Sequence, residues 1–181
     1  CMKVIYVVVG VSIVILLFQS FKLMSNSLKT ENQKYRTVLT DGPMEIRYYP
    51  SATFATIYSA ETEYKALAST GFRRLAGYIF GGNERNEKIS MTSPVTMSLE
   101  DSMTMMFMVP KKLEKEMLPK PNQSLIEFKE EPAKTVAAIT FNGWANDKKI
   151  EKFKQDLKSA LDAEGIPYSD RFYFLGYNAP Y

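Results

Sequence analysis

The chain has 181 residues, 45% apolar, 24% charged and 13% aromatic, enough for one ordinary domain with a buried core and unlike a disordered class. Lys3, Lys22 and Lys29 precede the first acid, so residues 30–181 balance 20 bases against 20 acids and the net +3 belongs to the N-terminal segment; that balance lacks the basic excess of a nucleic-acid-binding domain. Histidine is absent and the single cysteine is Cys1, which excludes Cys/His zinc sites, His-activated nucleophiles, dithiol centres and disulfide staples from the folded part.

Between Lys3 and Lys22 run 18 residues without a charge. As a helix they measure ~27 Å at ~1.5 Å per residue, close to a hydrocarbon core of about 30 Å. Three readings compete: a transmembrane anchor, a cleaved signal peptide and a buried core helix. Gln19-Ser20-Phe21-Lys22 offers no clear small-x-small cleavage site, and a core helix normally shows a polar face somewhere. The anchor is the reading carried forward: residues 1–22 a single-pass N-terminal transmembrane helix, giving membrane localisation. Its orientation stays open. The basic residues after the span place the domain in the cytoplasm by the positive-inside rule, while an exported, anchored domain is an equally familiar arrangement. Residues 23–34 are polar and read as a linker.

From Tyr35 onward the sequence repeats itself. Laying Glu45–Ile57 over Glu127–Ile139 aligns Pro50 with Pro132 at an offset of 82, with Ile46 on Phe128, Phe54 on Val136, Ala55 on Ala137 and Ile57 on Ile139. Each copy reads as strand, proline-marked break, strand. An amphipathic helix follows in both. Tyr64, Leu67, Ala68, Phe72, Leu75 and Ile79 share a face before Gly81-Gly82; Ile150, Phe153, Leu157, Ala160 and Leu161 do so before Gly165 and Pro167. The first copy goes on to an alternating strand, with Ile89, Met91, Val95, Met97 and Leu99 opposite Ser90, Thr92, Thr96 and Ser98. It closes with Met103–Val109, apolar on both faces. Arg171–Tyr177 corresponds to the alternating strand. The counterpart of Met103–Val109 falls near positions 185 to 191, so either the second copy lacks its closing strand or the sequence is truncated after Tyr181. Pro110–Ser124 reads as a polar connector with room for one helical turn. The expected fold is α+β: two β-β-α-β-β units forming a distorted antiparallel β-barrel with two flanking helices, preceded by the transmembrane helix.

The Glu45-Ile46-Arg47-Tyr48-Tyr49-Pro50 strand, the Gly71–Asn83 helix end, the Asn86–Val95 run N-E-K-I-S-M-T-S-P-V, the Phe141-Asn142-Gly143 turn and the Leu175–Pro180 segment resemble the SOUL haem-binding family. The resemblance covers residues 35–181. It implies a distorted barrel, a hydrophobic groove for haem or another tetrapyrrole, and a carrier or sensor role rather than an enzymatic one. Two departures matter. No histidine is present to serve as an axial ligand, and the final strand usual in the family does not follow Pro180.

A tetrapyrrole needs an apolar cleft with cations near its propionates. Phe72, Leu75, Met91 and Met97 are the candidate lining, and Arg73 and Arg74 the candidate partners of the carboxylates; Arg85 and Lys88 lie nearby. Methionines alternating along a strand are ordinarily core filler, which is the competing reading for Met91, Met97, Met103, Met105, Met106 and Met108. The expected function is a membrane-tethered binding protein that holds haem or a porphyrin by apolar burial, without a histidine ligand and without needing the pigment to fold. The alternative is an interaction or scaffold module that keeps the fold and not the haem site. No nucleophile elbow, phosphate loop or metal motif points to an enzyme.

Overall fold

The structure, a computed structural model, describes residues 30–59, 64–98, 103–113 and 115–177. The expected transmembrane helix and Leu99 lie outside those residues. Among the described residues, no helix is long and apolar enough to cross a membrane. Two compact units divide at Glu31/Asn32, and every element named below belongs to Asn32–Tyr181.

In chain order the elements are β1 (Arg36–Asp41), β2 (Met44–Tyr49), β3 (Ala52–Tyr58), α1 (Tyr64–Ile79), β4 (Val95–Ser98), β5 (Thr104–Met108), β6 (Ile126–Glu131), β7 (Lys134–Ile139), α2 (Asp147–Ala163) and β8 (Tyr173–Gly176). A single 3-10 turn, Lys115–Met117, supplies the helical turn expected in the connector. Five strands form one antiparallel sheet in the order β8-β4-β5-β3-β6, and three form another in the order β1-β2-β7. The architecture is α+β, as the periodicities predict, but the barrel is not closed. These strands fall into separate sheets where one continuous wall was expected, and among the described residues β7 and β8 each lie at a sheet edge.

The repeat is written into the strand register. In β3·β6, Ala52 faces Glu131 and Ile57 faces Ile126; in β2·β7, Tyr49 faces Lys134 and Met44 faces Ile139. Moving one partner forward by 82 and the other back by 82 turns the first ladder into the second, residue for residue. The two copies therefore clasp each other about a pseudo-twofold axis, each lending one strand to either sheet. Pro50 and Pro132 sit where the chain leaves one sheet for the other, a place where a missing N–H costs no ladder bond.

Helix α1 lays Ala68, Phe72, Leu75 and Ile79 on Ala55, Ile57, Met105 and Phe107 of the five-stranded sheet, the largest core cluster. It ends at Gly81, whose φ of 112° suits glycine, and at Gly82, where a Cβ would approach the Gly77 carbonyl to 2.7 Å. Helix α2 starts on Asn146, whose side chain accepts from the Lys149 N–H at 2.9 Å. Its Leu157 and Leu161 pack on Met44, Ala137 and Ile139 of the three-stranded sheet.

One expected element changes form. The alternating strand from Ile89 to Leu99 is cut short, because Pro94, joined to Ser93 by a cis peptide bond, interrupts it and the continuous run spans only Val95–Ser98. All four of those residues are buried. Its polar side is covered rather than solvated: a third cluster, Phe54, Met106 and Met108 with Tyr173, occupies the outer face of the same sheet.

Candidate functional site

A cavity of about 820 Å³ opens beside α2. Its floor is β7, from which every residue from Lys134 to Ile139 contributes, joined by Ile46, Arg47 and Tyr49 of β2. One wall is α2, through Ile150, Phe153, Lys154, Leu157 and Leu161. The other is the Ile166–Phe172 segment, without Asp170, followed by all of β8 and Tyr177. Phe54, Thr96 and Met106 reach it from the five-stranded sheet. The volume falls inside the range of about 300–1,000 Å³ in which small-molecule sites lie, and the mixture of apolar walls with a few fixed polar groups is the usual one.

Its aromatic furniture is ordered. Phe141 stacks on Phe153 at 4.5 Å between centroids and 12° between planes, with Phe174 a further 6.1 Å away. Lys149 lies over the Phe141 ring at 5.2 Å and donates to the Asn142 carbonyl at 2.5 Å, which fixes the turn leading into α2. Trp144, the chain's single tryptophan, lines the cavity and is 73% exposed.

Four cations contribute to the lining. Arg47 is held by Glu45 at 2.7 Å and Thr140 at 3.2 Å, and its guanidinium lies 4.5 Å from the Tyr35 ring centroid. Lys134 bonds Glu131 at 3.1 Å and sits over the Tyr173 ring at 4.6 Å. Lys154 pairs with Glu151 at 3.7 Å. Arg171 is exposed and makes no ion pair among the described residues, which leaves its guanidinium available to an incoming carboxylate. The phenols are poor proton donors. Burial and then the Asp147 charge raise the pKa of Tyr64. Desolvation followed by the neighbouring Tyr49 raises that of Tyr177. Desolvation and Asp162 do the same to Tyr168. All three stay neutral in the physiological range. The Tyr49 hydroxyl is buried beside Arg47 and Tyr177 without a well-formed hydrogen bond of its own, so it can accept or donate one to a guest.

The groove expected beside α1 is filled by side chains. Leu75 is 0% and Met97 3% exposed, both inside the main core, with Phe72 and Met91 packed against it. Arg73 points to solvent and Arg74 is half-buried on the same helix. None of these six residues lines the cavity. This burial has a packing cause: in the first copy β5 lies against β3 and β4 and its side chains occupy the space under α1. The open cleft lies in the second copy, at positions that the offset of 82 relates to that core. Leu157 corresponds to Leu75 and Lys154 to Phe72, so the repeat carried the signal. Arg85 is likewise engaged, with the Met117 carbonyl and Glu87, and Met103, Met105, Met106 and Met108 are core residues.

Residues 30–181 match the sequence profile described as SOUL heme-binding protein. The chain belongs to the SOUL heme-binding protein family. It is 28% identical over 149 residues to Heme-binding protein 2 of Mus musculus, covering 77% of this chain and 72% of the relative. It is also 28% identical over 148 residues to Heme-binding protein 2 of Homo sapiens, with the same coverage. Heme-binding protein 1 of Xenopus laevis is 24% identical over 174 residues, 88% of this chain and 91% of that protein. Within this SOUL chain, the matched region contains every element that borders the cavity.

Proposed function

We propose that the chain binds haem or another tetrapyrrole in the cavity beside α2 and holds it by apolar burial. The observation that carries this reading is the cavity itself: about 820 Å³, walled by Ile46, Ala137, Ile139, Phe153, Leu157 and Phe172, and lined also by Arg171, which has no ion pair among the described residues. A flat macrocycle gains its affinity from the area it removes from water, about 25 cal/mol per Å² of apolar surface. Its propionates then need one or two cations, and Arg171 and Lys154 are placed to supply them. Haem would bring ferric or ferrous iron. The protonated state of Tyr64, Tyr168 and Tyr177 and the absence of histidine from the chain speak for a site in which the ring, rather than the metal, is the recognised feature.

In this reading the protein is a carrier or sensor and not an enzyme, and the uncharged stretch between Lys3 and Lys22 supports a membrane tether for it. The full chain in detergent micelles, titrated separately with haemin and with metal-free protoporphyrin against empty micelles, tests the assignment. Trp144 is the built-in reporter, because it is the sole tryptophan and borders the cavity. Saturable quenching of its fluorescence by both ligands, with similar affinities, is expected. Quenching by neither ends the proposal, and quenching by haemin alone replaces burial with ligation as the basis of binding.

A further inference from the structure

Strand β1 is exposed along its whole length. Val38 and Leu39 keep 55% and 52% of their surface in water, and Tyr35 and Tyr48 are exposed beside them. Residues opposite one another in a ladder share a face. Leu39 lies opposite Ile46 and Arg36 opposite Tyr48, while Met44, on the same face of β2, packs with Leu157 and Leu161 of α2. Arg36, Leu39 and Tyr48 therefore continue the sheet face that α2 covers, past the reach of the helix. The ladder slips between Thr37 and Leu39, which makes Val38 a bulge. A bulged edge resists pairing with a further strand, so this face suits a broad surface better than a second sheet. β1 and the cavity-bordering β7 lie at opposite edges of the three-stranded sheet, which keeps this face separate from the cavity.

The sequence before β1 indicates what that surface is. Residues 23–34, 12 in number, separate Lys22 at the end of the uncharged stretch from Tyr35. Even fully extended, at about 3.6 Å each, they reach no more than about 43 Å, so a tether in the bilayer keeps β1, the first strand of the sheets, close to lipid. From Lys22 to Arg36 the chain carries Lys22, Lys29, Lys34 and Arg36 against the single acid Glu31, the sign that anionic headgroups attract.

We propose that this face of β1 rests on the membrane, with Val38, Leu39 and Tyr48 at the headgroup boundary and Lys34 and Arg36 against the phosphates of anionic lipids. The Arg36 guanidinium lies over the Tyr48 ring at 5.8 Å, which lets the ring enter the boundary while the cation stays among the headgroups. Tyrosines at that depth are usual in membrane proteins. The proposal rests on the tether read from the stretch between Lys3 and Lys22 and is independent of the tetrapyrrole.

The test uses the full chain with Cys1→Ser, in which Val38→Cys or Leu39→Cys supplies the only thiol. Each variant is labelled with a nitrobenzoxadiazole dye and reconstituted in vesicles of phosphatidylcholine and phosphatidylglycerol, with and without a nitroxide-bearing lipid. Phe80→Cys, at an exposed position just past α1, carries the dye as a reference. Blue-shifted emission that loses most of its intensity to the nitroxide lipid is expected at positions 38 and 39, and water-like, unquenched emission at position 80. Adding Lys34→Glu and Arg36→Glu to Val38→Cys is expected to return the dye towards water in these anionic vesicles. A chain that floats with the vesicles while its dyes at 38 and 39 stay water-like overturns the proposal and leaves the tether standing. A chain that does not float with them ends the tether and the proposal together. Equal quenching at position 80 overturns it by removing any preferred face. So does a blue shift that the nitroxide lipid does not quench and that grows with protein concentration, which would put a second copy on β1.

Discussion

The backbone N–H of Tyr64, the first residue of α1, donates to the Asp147 carboxylate at 2.6 Å, and Asp147 is the first residue of α2. The two helix starts are tied together across the pseudo-twofold axis, with a negative charge at the end of each helix where its free N–H groups converge. Replacing Asp147 with alanine removes a helix-start charge and an accepted hydrogen bond at once. Chemical denaturation of Asp147→Ala is expected to show a loss of up to about 1 kcal/mol. The milder Asp147→Asn change is expected to lose less, because an amide oxygen still accepts. Equal stability of wild type and Asp147→Ala would dissolve the link.

Leu75 and Leu157 occupy the same place in the repeat and different surroundings. Leu75 is 0% exposed under α1, where β5 packs beneath it, whereas Leu157 is 8% exposed and borders the cavity. Truncating a leucine costs the transfer of its methyl groups plus the hollow left behind. For Leu75→Ala the cost belongs in the upper part of the range of about 2–5 kcal/mol, and for Leu157→Ala near the bottom, since a wall of an existing cavity loses fewer contacts. Urea unfolding of the two variants decides it. A larger loss for Leu157→Ala would mean that the second copy is packed as tightly as the first.

This pair also explains what the sequence could and could not disclose. The offset of 82 predicted both helices and all four proline-flanked strands, because those depend on local patterning and on a proline in each copy, whereas the cross-copy pairing is visible only in the strand register. Residue types alone could not separate core from cavity. Ala55 and Ala137 are both alanine and Ile57 and Ile139 both isoleucine at aligned positions, yet Ala55 and Ile57 are buried and Ala137 and Ile139 half-buried. What differs is the neighbour on the far side of the strand, β5 for β3 and, among the described residues, the cavity for β7. Exposure in a sheet is set by what pairs alongside, a long-range property invisible to a window of a dozen residues. Phe72, Leu75, Met91 and Met97 have the residue types of a groove lining, and in the structure they belong to or pack on the main core because β5 lies beneath α1.

Asn83 is 1% exposed and its amide is fully used. The side-chain nitrogen donates to the carbonyls of Tyr78 at 3.1 Å and Glu87 at 2.8 Å, while its oxygen accepts from the N–H groups of Arg85 at 3.2 Å and Glu87 at 3.1 Å. Beside it the Tyr78 hydroxyl, pushed up to about 12 mainly by burial, donates to the Pro119 carbonyl at 3.0 Å. Alanine at position 83 strands several backbone groups, and about 2–3 kcal/mol is the expected loss. Aspartate keeps the acceptor but brings a second oxygen against two carbonyls, so Asn83→Asp is expected to be no better than Asn83→Ala at neutral pH. Thermal unfolding of the two variants checks the order.

Glu131 sits where β6 ends, between Lys129 at 2.8 Å and Lys134 at 3.1 Å. Burial pushes its pKa up, but hydrogen bonds from both lysines outweigh that and hold it below the ordinary 4.5. A folded-state pKa lower than the unfolded one adds stability above the unfolded value and loses it as pH falls through the folded value. Glu131→Gln is therefore expected to be less stable than wild type near neutrality, with the difference shrinking below pH 4.5 and vanishing once the wild-type carboxyl is protonated. A difference that persists unchanged into acid would assign Glu131 a packing role instead of an ionic one.

Arg171 separates recognition of the propionates from recognition of the ring. Arg171→Glu replaces a cation that has no ion pair among the described residues with a repelling carboxylate, on an exposed segment whose packing does not depend on it. Loss of one charge-assisted contact, added to the new repulsion, is expected to weaken protoporphyrin binding by about tenfold, in line with roughly 1.5–3 kcal/mol for a hydrogen bond to a charged group reduced by solvent screening. The dimethyl ester of the same porphyrin carries no carboxylates, so its affinity is expected to be unchanged by the substitution. Trp144 quenching measures both ligands on the same protein. An equal loss for acid and ester would move the carboxylates elsewhere in the cleft and leave Arg171 no part in recognising them.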